Sequence, residues 1–265
     1  MQYLQSKLVQ IHRLVHSIDG LDHPFPGLGM VPYLIEEQPD DLTLIDTCFA
    51  SELPKLKAYI ANAGYEMKNI NRIILTHVHP DHTEAANAIK RLTGARIFSY
   101  WSEAAYIAQN PIYQGPPSHQ SYQMILQELG VNVEDVIKKF GPLNLEPIIV
   151  DEKLNDNETI VGTNLQVIHT PGHTPGHISL YHKECRILFG ADFLLNSVFG
   201  IDGLFIPPSS VSIDPLTAVI SAQRVSRLKF DKLLLAHQSE PILEGGQKAV
   251  EKVVLNTIQN QKNNS

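Results

Sequence analysis

The chain has little that could cross-link it, hold a polyanion or enter a membrane. Only two cysteines, Cys48 and Cys185, occur in 265 residues, which argues against a disulfide framework and suits a reducing compartment. Charged residues make up 18% of the chain, and acids outnumber bases by 28 to 21 for a formal charge of −7. Nucleic-acid binding rests on clustered lysine and arginine, so no nucleic-acid partner is expected. No apolar run is long enough to span a bilayer, and the opening Met1-Gln2-Tyr3-Leu4-Gln5-Ser6-Lys7 lacks the apolar core of a secretion signal. The expectation is a cytoplasmic protein with no membrane partner. A Gly-x-Ser-x-Gly elbow is also missing, so a serine nucleophile of that type is not expected. No tandem repeat is visible, and only the tail 260–265 is low in complexity.

What is present is ordinary globular material with 43% hydrophobic residues, in a chain long enough to bury most of its apolar surface. Against that background one stretch stands out, Thr76-His77-Val78-His79-Pro80-Asp81-His82. Neutral imidazole nitrogens and a hard carboxylate oxygen are both metal donors, and here they crowd behind the apolar run Arg72-Ile73-Ile74-Leu75. His77 and His79 are two apart, a spacing that converges on one ion when the backbone is extended or turning. Asp81 and His82 follow on the next turn, within reach of a second ion.

Three more apolar runs end in the same way. Leu165-Gln166-Val167-Ile168 leads into His169-Thr170-Pro171-Gly172-His173-Thr174-Pro175-Gly176-His177. Arg186-Ile187-Leu188-Phe189-Gly190-Ala191 leads into Asp192, and Lys232-Leu233-Leu234-Leu235-Ala236 into His237. Each run has the length and composition of a buried strand. Strands that deliver donors at their ends make a rigid, pre-arranged cage.

With His77-x-His79-x-Asp81-His82 followed by His173, Asp192 and His237, the chain resembles the metallo-β-lactamase-fold hydrolase superfamily, from about residue 11 to 237. The Thr-Pro-Gly-His-Thr-x-Gly-His element brings it nearest to the glyoxalase-II-like and lactonase-like branches. That resemblance implies an α/β fold, a four-layer αββα sandwich, with two divalent metal ions. Zinc is the implied metal, with iron and manganese as alternatives. It implies that His77, His79 and His173 hold one ion, that Asp81, His82 and His237 hold the other, and that Asp192 bridges them. Spacing alone leaves open which ligand serves which ion. The first Gly-His of the repeat is the ligand in the family, which assigns His173 and leaves His177 as a support. Asp46, at the end of Leu44-Ile45-Asp46, stands where relatives place a carboxylate that orients a ligand imidazole.

The chemistry implied is attack by a metal-bridging hydroxide on an ester-like bond, with Asp81 both a ligand and the group that orients or relays the proton. A thioester or lactone comes first among small-molecule substrates and a phosphoester after them. The alternative is a mononuclear iron oxidoreductase of the persulfide-dioxygenase kind on the same fold. The stretch after His237 is short for the helical C-terminal domain with which typical glyoxalase II enzymes bind glutathione. The Ala236-His237-Gln238-Ser239 and His82-Thr83-Glu84-Ala85 contexts also depart from the family's usual surroundings.

The chain reads as a single domain, 1–265, with residues 101–145 as a helical insertion near the active site. Strands are expected at 11–15, 30–36, 42–46 and 96–100, and helices at 53–63 and 83–92, closed by Gly64 and Gly94. Asp81 or Thr83 is the expected cap of the second helix. The insertion carries Trp101, Tyr106, Tyr113, Tyr122 and Met124, which suits either a lid over substrate or a satellite core. The apolar segment 193–208 is expected to enter the core or to line a pocket. Asp214-Pro215 should start a helix, with Asp214 as its cap. Cys48 reads as a buried small hydrophobe, and His169 as a satisfied strand-end residue. His12, His16, His23, His119 and His182 read as surface or structural.

Overall fold

The computed structural model describes residues 3–5, 10–13, 29–108, 135, 138, 146–198, 200–209, 211–238 and 240–263. These fall into two compact units, 1–155 and 156–265. Most of the 101–145 insertion, with Tyr113, Tyr122 and Met124, lies outside the described residues, as do His16, His23 and His119.

The first unit is a seven-stranded sheet whose strands lie side by side in chain order. These are β1 (Tyr3–Gln5), β2 (Gln10–Arg13), β3 (Tyr33–Gln38), β4 (Asp41–Ile45), β5 (Ile70–Leu75), β6 (Arg96–Tyr100) and β7 (Glu152–Leu154). The first four are antiparallel; β4 to β7 are parallel. Parallel neighbours require crossovers, and α1 (Leu53–Asn62) and α3 (Ala86–Thr93) supply two of them. Ile73, Ile74 and Leu75 are consecutive and all fully buried, the mark of a strand covered on both faces. Helix α1 buries Leu56 and Ile60, four residues apart, and Gly64 follows it at φ 92°. Gly94 takes the left-handed conformation that closes α3, at φ 73°.

The helix expected at 83–92 is instead two pieces, α2 (Pro80–Thr83) and α3. The reason lies in where the backbone bonds go. The His82 carbonyl accepts from Thr47 N (2.8 Å), and Ala85 N donates to the Cys48 carbonyl (2.9 Å), so both are spent on the loop after β4. Neither Asp81 nor Thr83 caps the helix. His79 holds the cap position without a side-chain bond, Pro80 opens the first turn, and the Thr83 hydroxyl donates to the His79 carbonyl. Of the insertion, α4 (Trp101–Ile107) is described, with Trp101 exposed and Ala104 and Ile107 buried.

The second unit has a four-stranded sheet in the order β13-β10-β9-β8 and a two-stranded ribbon β11-β12. Its strands are β8 (Leu165–His169), β9 (Ile178–His182), β10 (Ile187–Ala191), β11 (Leu195–Asn196), β12 (Leu204–Phe205) and β13 (Lys232–Leu235). Two helices, α5 (Pro215–Val225) and α6 (Gly246–Asn263), complete it. Ala222 and Val225 from α5 and Val250 and Val254 from α6 pack with Ile168, Leu188, Leu233 and Leu235 of the sheet. Asp214 caps α5 by accepting from Thr217 N, with Pro215 in the first turn. The segment 193–208 divides. Phe193 and Leu194 enter this core, whereas Ile201 at the turn of the ribbon is exposed.

Helix α5 sits directly against the loop that carries His173. A Cβ on Gly172 would lie 2.4 Å from the Ala218 backbone, and Gly172 itself has φ +135°. Clash and backbone strain act together there, so Gly172→Ala should lower stability by at least ~2 kcal/mol. Denaturant unfolding measures it, and a loss below about 0.5 kcal/mol would mean that α5 yields easily.

Candidate metal centre

In the first unit the site residues come from the carboxyl ends of the parallel strands β4 and β5. Asp46 follows β4, and Thr76 to His82 follow β5 and run into α2. Asp46 is a non-glycine residue in the left-handed region, at φ 58°, and its side chain is buried. Its carboxylate accepts three hydrogen bonds: Oδ1 from Thr76 N (2.8 Å), and Oδ2 from the Thr76 hydroxyl (2.8 Å) and from His82 Nδ1 (2.9 Å). With Nδ1–H of His82 engaged in this way, Nε2 is its lone-pair nitrogen. Nε2 lies 3.4 Å from Asp81 Oδ2. His77 Nε2 and His79 Nδ1 are 3.1 Å apart. His77, Asp81 and His82 are buried and His79 is half-buried.

In the second unit the donors share one edge of the four-stranded sheet. Strands β8, β10 and β13 run in the same direction, and His173, Asp192 and His237 follow their carboxyl ends. Asp192 Oδ2 lies 3.4 Å from His173 Nε2 and 3.3 Å from His237 Nε2. One carboxylate oxygen thus stands between two imidazoles, and all three residues are buried.

His177 is at the same edge, but both its ring nitrogens are engaged. Nε2 accepts from the Asp192 backbone N–H (3.0 Å), which places the ring proton on Nδ1, where it faces the Thr170 hydroxyl at 2.9 Å. Thr170 in turn meets Ser179, which donates to the Gly190 carbonyl. His177 therefore holds the backbone of Asp192.

Each cluster fits a metal ion by the chemistry and spacing of its donors. Two ligands on one tetrahedral zinc at about 2.0–2.1 Å stand roughly 3.3 Å apart, and the separations above are 3.1 to 3.4 Å. The set combines imidazole nitrogen with hard carboxylate oxygen and has no thiolate, which suits zinc, iron or manganese. Among the described residues, the His and carboxylate groups able to hold a metal are made up of these same seven side chains.

Sequence reading missed the groups that set the donors. Thr76 and Thr170 are ordinary threonines until their hydrogen bonds are traced. The pairing of β10 with β13 shifts register between Phe189 and Ala191, and Ala191 has φ 48°. This bulge re-aims the chain just before Asp192, and a lone glycine inside a strand, Gly190, was its available signal. A Cβ there would meet Leu235 and Phe193 at 2.6 Å. Other residues are structural as expected. His169 Nε2 bonds the Pro175 carbonyl, and buried His182 accepts from Cys185 N. Arg224, near the end of α5, pairs with Asp156.

Cys48 is buried and two residues from Asp46. Burial pushes its thiol well above the ordinary value, and the Glu52 and Glu84 carboxylates add to the effect. The thiolate is the reactive form, so Cys48 should resist iodoacetamide in the native protein at about pH 8 and react only after denaturation. Peptide mapping of the alkylated protein checks this, and rapid native labelling of Cys48 would contradict it.

Comparison with known proteins agrees with the strand-end motifs. The chain is 27% identical over 135 residues to the hydroxyacylglutathione hydrolase GloC of Haemophilus influenzae, a match covering 50% of this chain and 53% of that protein. The chain thus spans about half the length of that relative. It is 25% identical over 223 residues to the probable metallo-hydrolase YflN of Bacillus subtilis, covering 77% of each. Among solved structures, a metallo-beta-lactamase family protein from Thermus thermophilus superposes with a TM-score of 0.68 at 22% identity, covering 95% of this chain and 81% of that one. This likeness shows an α/β fold of the metallo-beta-lactamase type. The family model for the metallo-beta-lactamase superfamily matches residues 31–237, a span that takes in every strand-end donor, and the chain belongs to that superfamily.

Proposed function

We propose that the protein is a metal-dependent hydrolase whose strand-end donors hold two metal ions. The observation that carries this reading is the single Asp192 oxygen 3.4 and 3.3 Å from the Nε2 atoms of His173 and His237. An oxygen so placed is suited to being shared between two ions. In this reading His77, His79 and His173 hold one ion, and Asp81, His82 and His237 the other, with zinc in first place.

When bound, two such ions supply Lewis acidity and bring the pKa of water near neutrality. The chain's own residues do the rest. Asp46 and Thr76 hold His82 and His77, and His177 holds the Asp192 backbone. In this reading Asp81 is the carboxylate that orients the attacking water and passes its proton to the leaving group. The substrate class we propose is an acyl thioester or a lactone. Hydroxyacylglutathione, named for the relative GloC, is such a thioester. With a formal charge of −7, a small molecule suits the chain better than a polyanion. Among the described residues no helix is long and apolar enough to cross a membrane, and we place the protein in the cytoplasm. The mononuclear iron reading is less well supported, because one ion would leave the second donor group, Asp81, His82 and His237, without a metal.

Two variants separate holding a metal from holding a ligand. Asp192→Ala should lower metal content at one site or both and abolish most turnover. His177→Ala should keep the metals and lose roughly 10- to 100-fold in activity. Elemental analysis reads the first difference, and equal metal loss in both variants would overturn the assignment. A panel of thioesters, lactones and phosphodiesters tests the substrate class. Turnover confined to phosphodiesters would overturn it.

A further inference from the structure

The Thr76 hydroxyl carries one proton and has two polar neighbours, Asp46 Oδ2 at 2.8 Å and His77 Nδ1 at 3.1 Å. An ionised carboxylate can only accept a hydrogen bond. The Thr76 proton therefore goes to Asp46, and the contact with His77 is left to a proton on Nδ1, for which the Thr76 oxygen is the acceptor. That makes Nε2 the lone-pair nitrogen of His77, and Nε2 is the atom 3.1 Å from His79 Nδ1. His82 is set by the same carboxylate without an intermediary. All these groups except His79 are buried, Thr76, His77 and His82 fully so, so exchange with water does not blur the order of protons.

We propose that Thr76 is a positioning residue that selects the metal-binding nitrogen of His77, with the Asp46 carboxylate as the common anchor of the His77 and His82 imidazoles. The zinc arm of the test rests on the metal-centre reading above; the tautomer arm does not. Removing the hydroxyl should release His77 alone, because His82 keeps its own bond to Asp46. Removing the carboxylate should release both.

The test is nitrogen-15 NMR of the histidine rings, with zinc retention against a chelator, in the wild-type chain and in Thr76→Val, Thr76→Ser and Asp46→Asn. In metal-free wild type, His77 should carry its proton on Nδ1. Thr76→Val should mix the His77 tautomers, leave His82 unchanged and weaken zinc retention by roughly 10- to 100-fold. Thr76→Ser should restore both readouts, and Asp46→Asn should disturb both rings. General loosening of the loop would instead move His77 and His82 together in Thr76→Val. That result, an Nε2–H form of His77 in wild type, or unchanged tautomer and retention in Thr76→Val, would overturn the inference. Should Thr76→Val fail to fold, the wild-type tautomer and its preservation in Thr76→Ser decide the question. A wild-type chain that binds no zinc would defeat the metal-centre reading, while the His77 tautomer in that same metal-free chain would still decide this one.

Discussion

An imidazole can offer a metal only one of its two nitrogens, and the protein must fix the other. Much of the local structure around the donors answers that requirement. His82 gives Nδ1 to Asp46, and His77 gives Nδ1 to Thr76. His177 spends both nitrogens on the protein, on Thr170 and on the Asp192 backbone, and so differs in kind from His173 earlier in the same repeat. The distinction between a ligand and its support is therefore written in hydrogen bonds rather than in residue type.

The same requirement explains where the backbone departs from regular geometry. Asp46 and Ala191 both lie in the left-handed region, which costs a non-glycine residue of order 1 kcal/mol or more. One delivers the anchoring carboxylate, and the other precedes the carboxylate that faces two imidazoles. Loop 46–48 takes bonds that would otherwise have continued α2 into α3, and so ends α2 one residue after His82. In each case a short irregularity lies at the buried carboxyl end of a strand.

What was legible in the sequence follows from the same physics. Strand-end donors announce themselves because apolar runs are easy to see and His-x-His-x-Asp-His spacing is rare. Gly64, Gly94 and Asp214-Pro215 marked helix ends correctly because their signals are local. The break after Thr83 was not legible, since it depends on bonds to Thr47 and Cys48, which lie far off along the chain, 35 residues in the case of Thr47 and His82. The threonine anchors were hidden for the same reason. The apolar segment 193–208 gave no periodicity to choose between core and surface, and the structure uses it for both.

The central proposal is that the strand-end donors hold a pair of metal ions, with Asp192 shared between them. X-ray absorption spectroscopy of the zinc-loaded chain, at a measured metal content, tests it most directly. The account predicts two zinc ions per chain, nitrogen and oxygen scatterers at about 2.0–2.2 Å, and a metal–metal shell at about 3.5–4 Å. One ion per chain, or two with no metal–metal scattering at that distance, would contradict it.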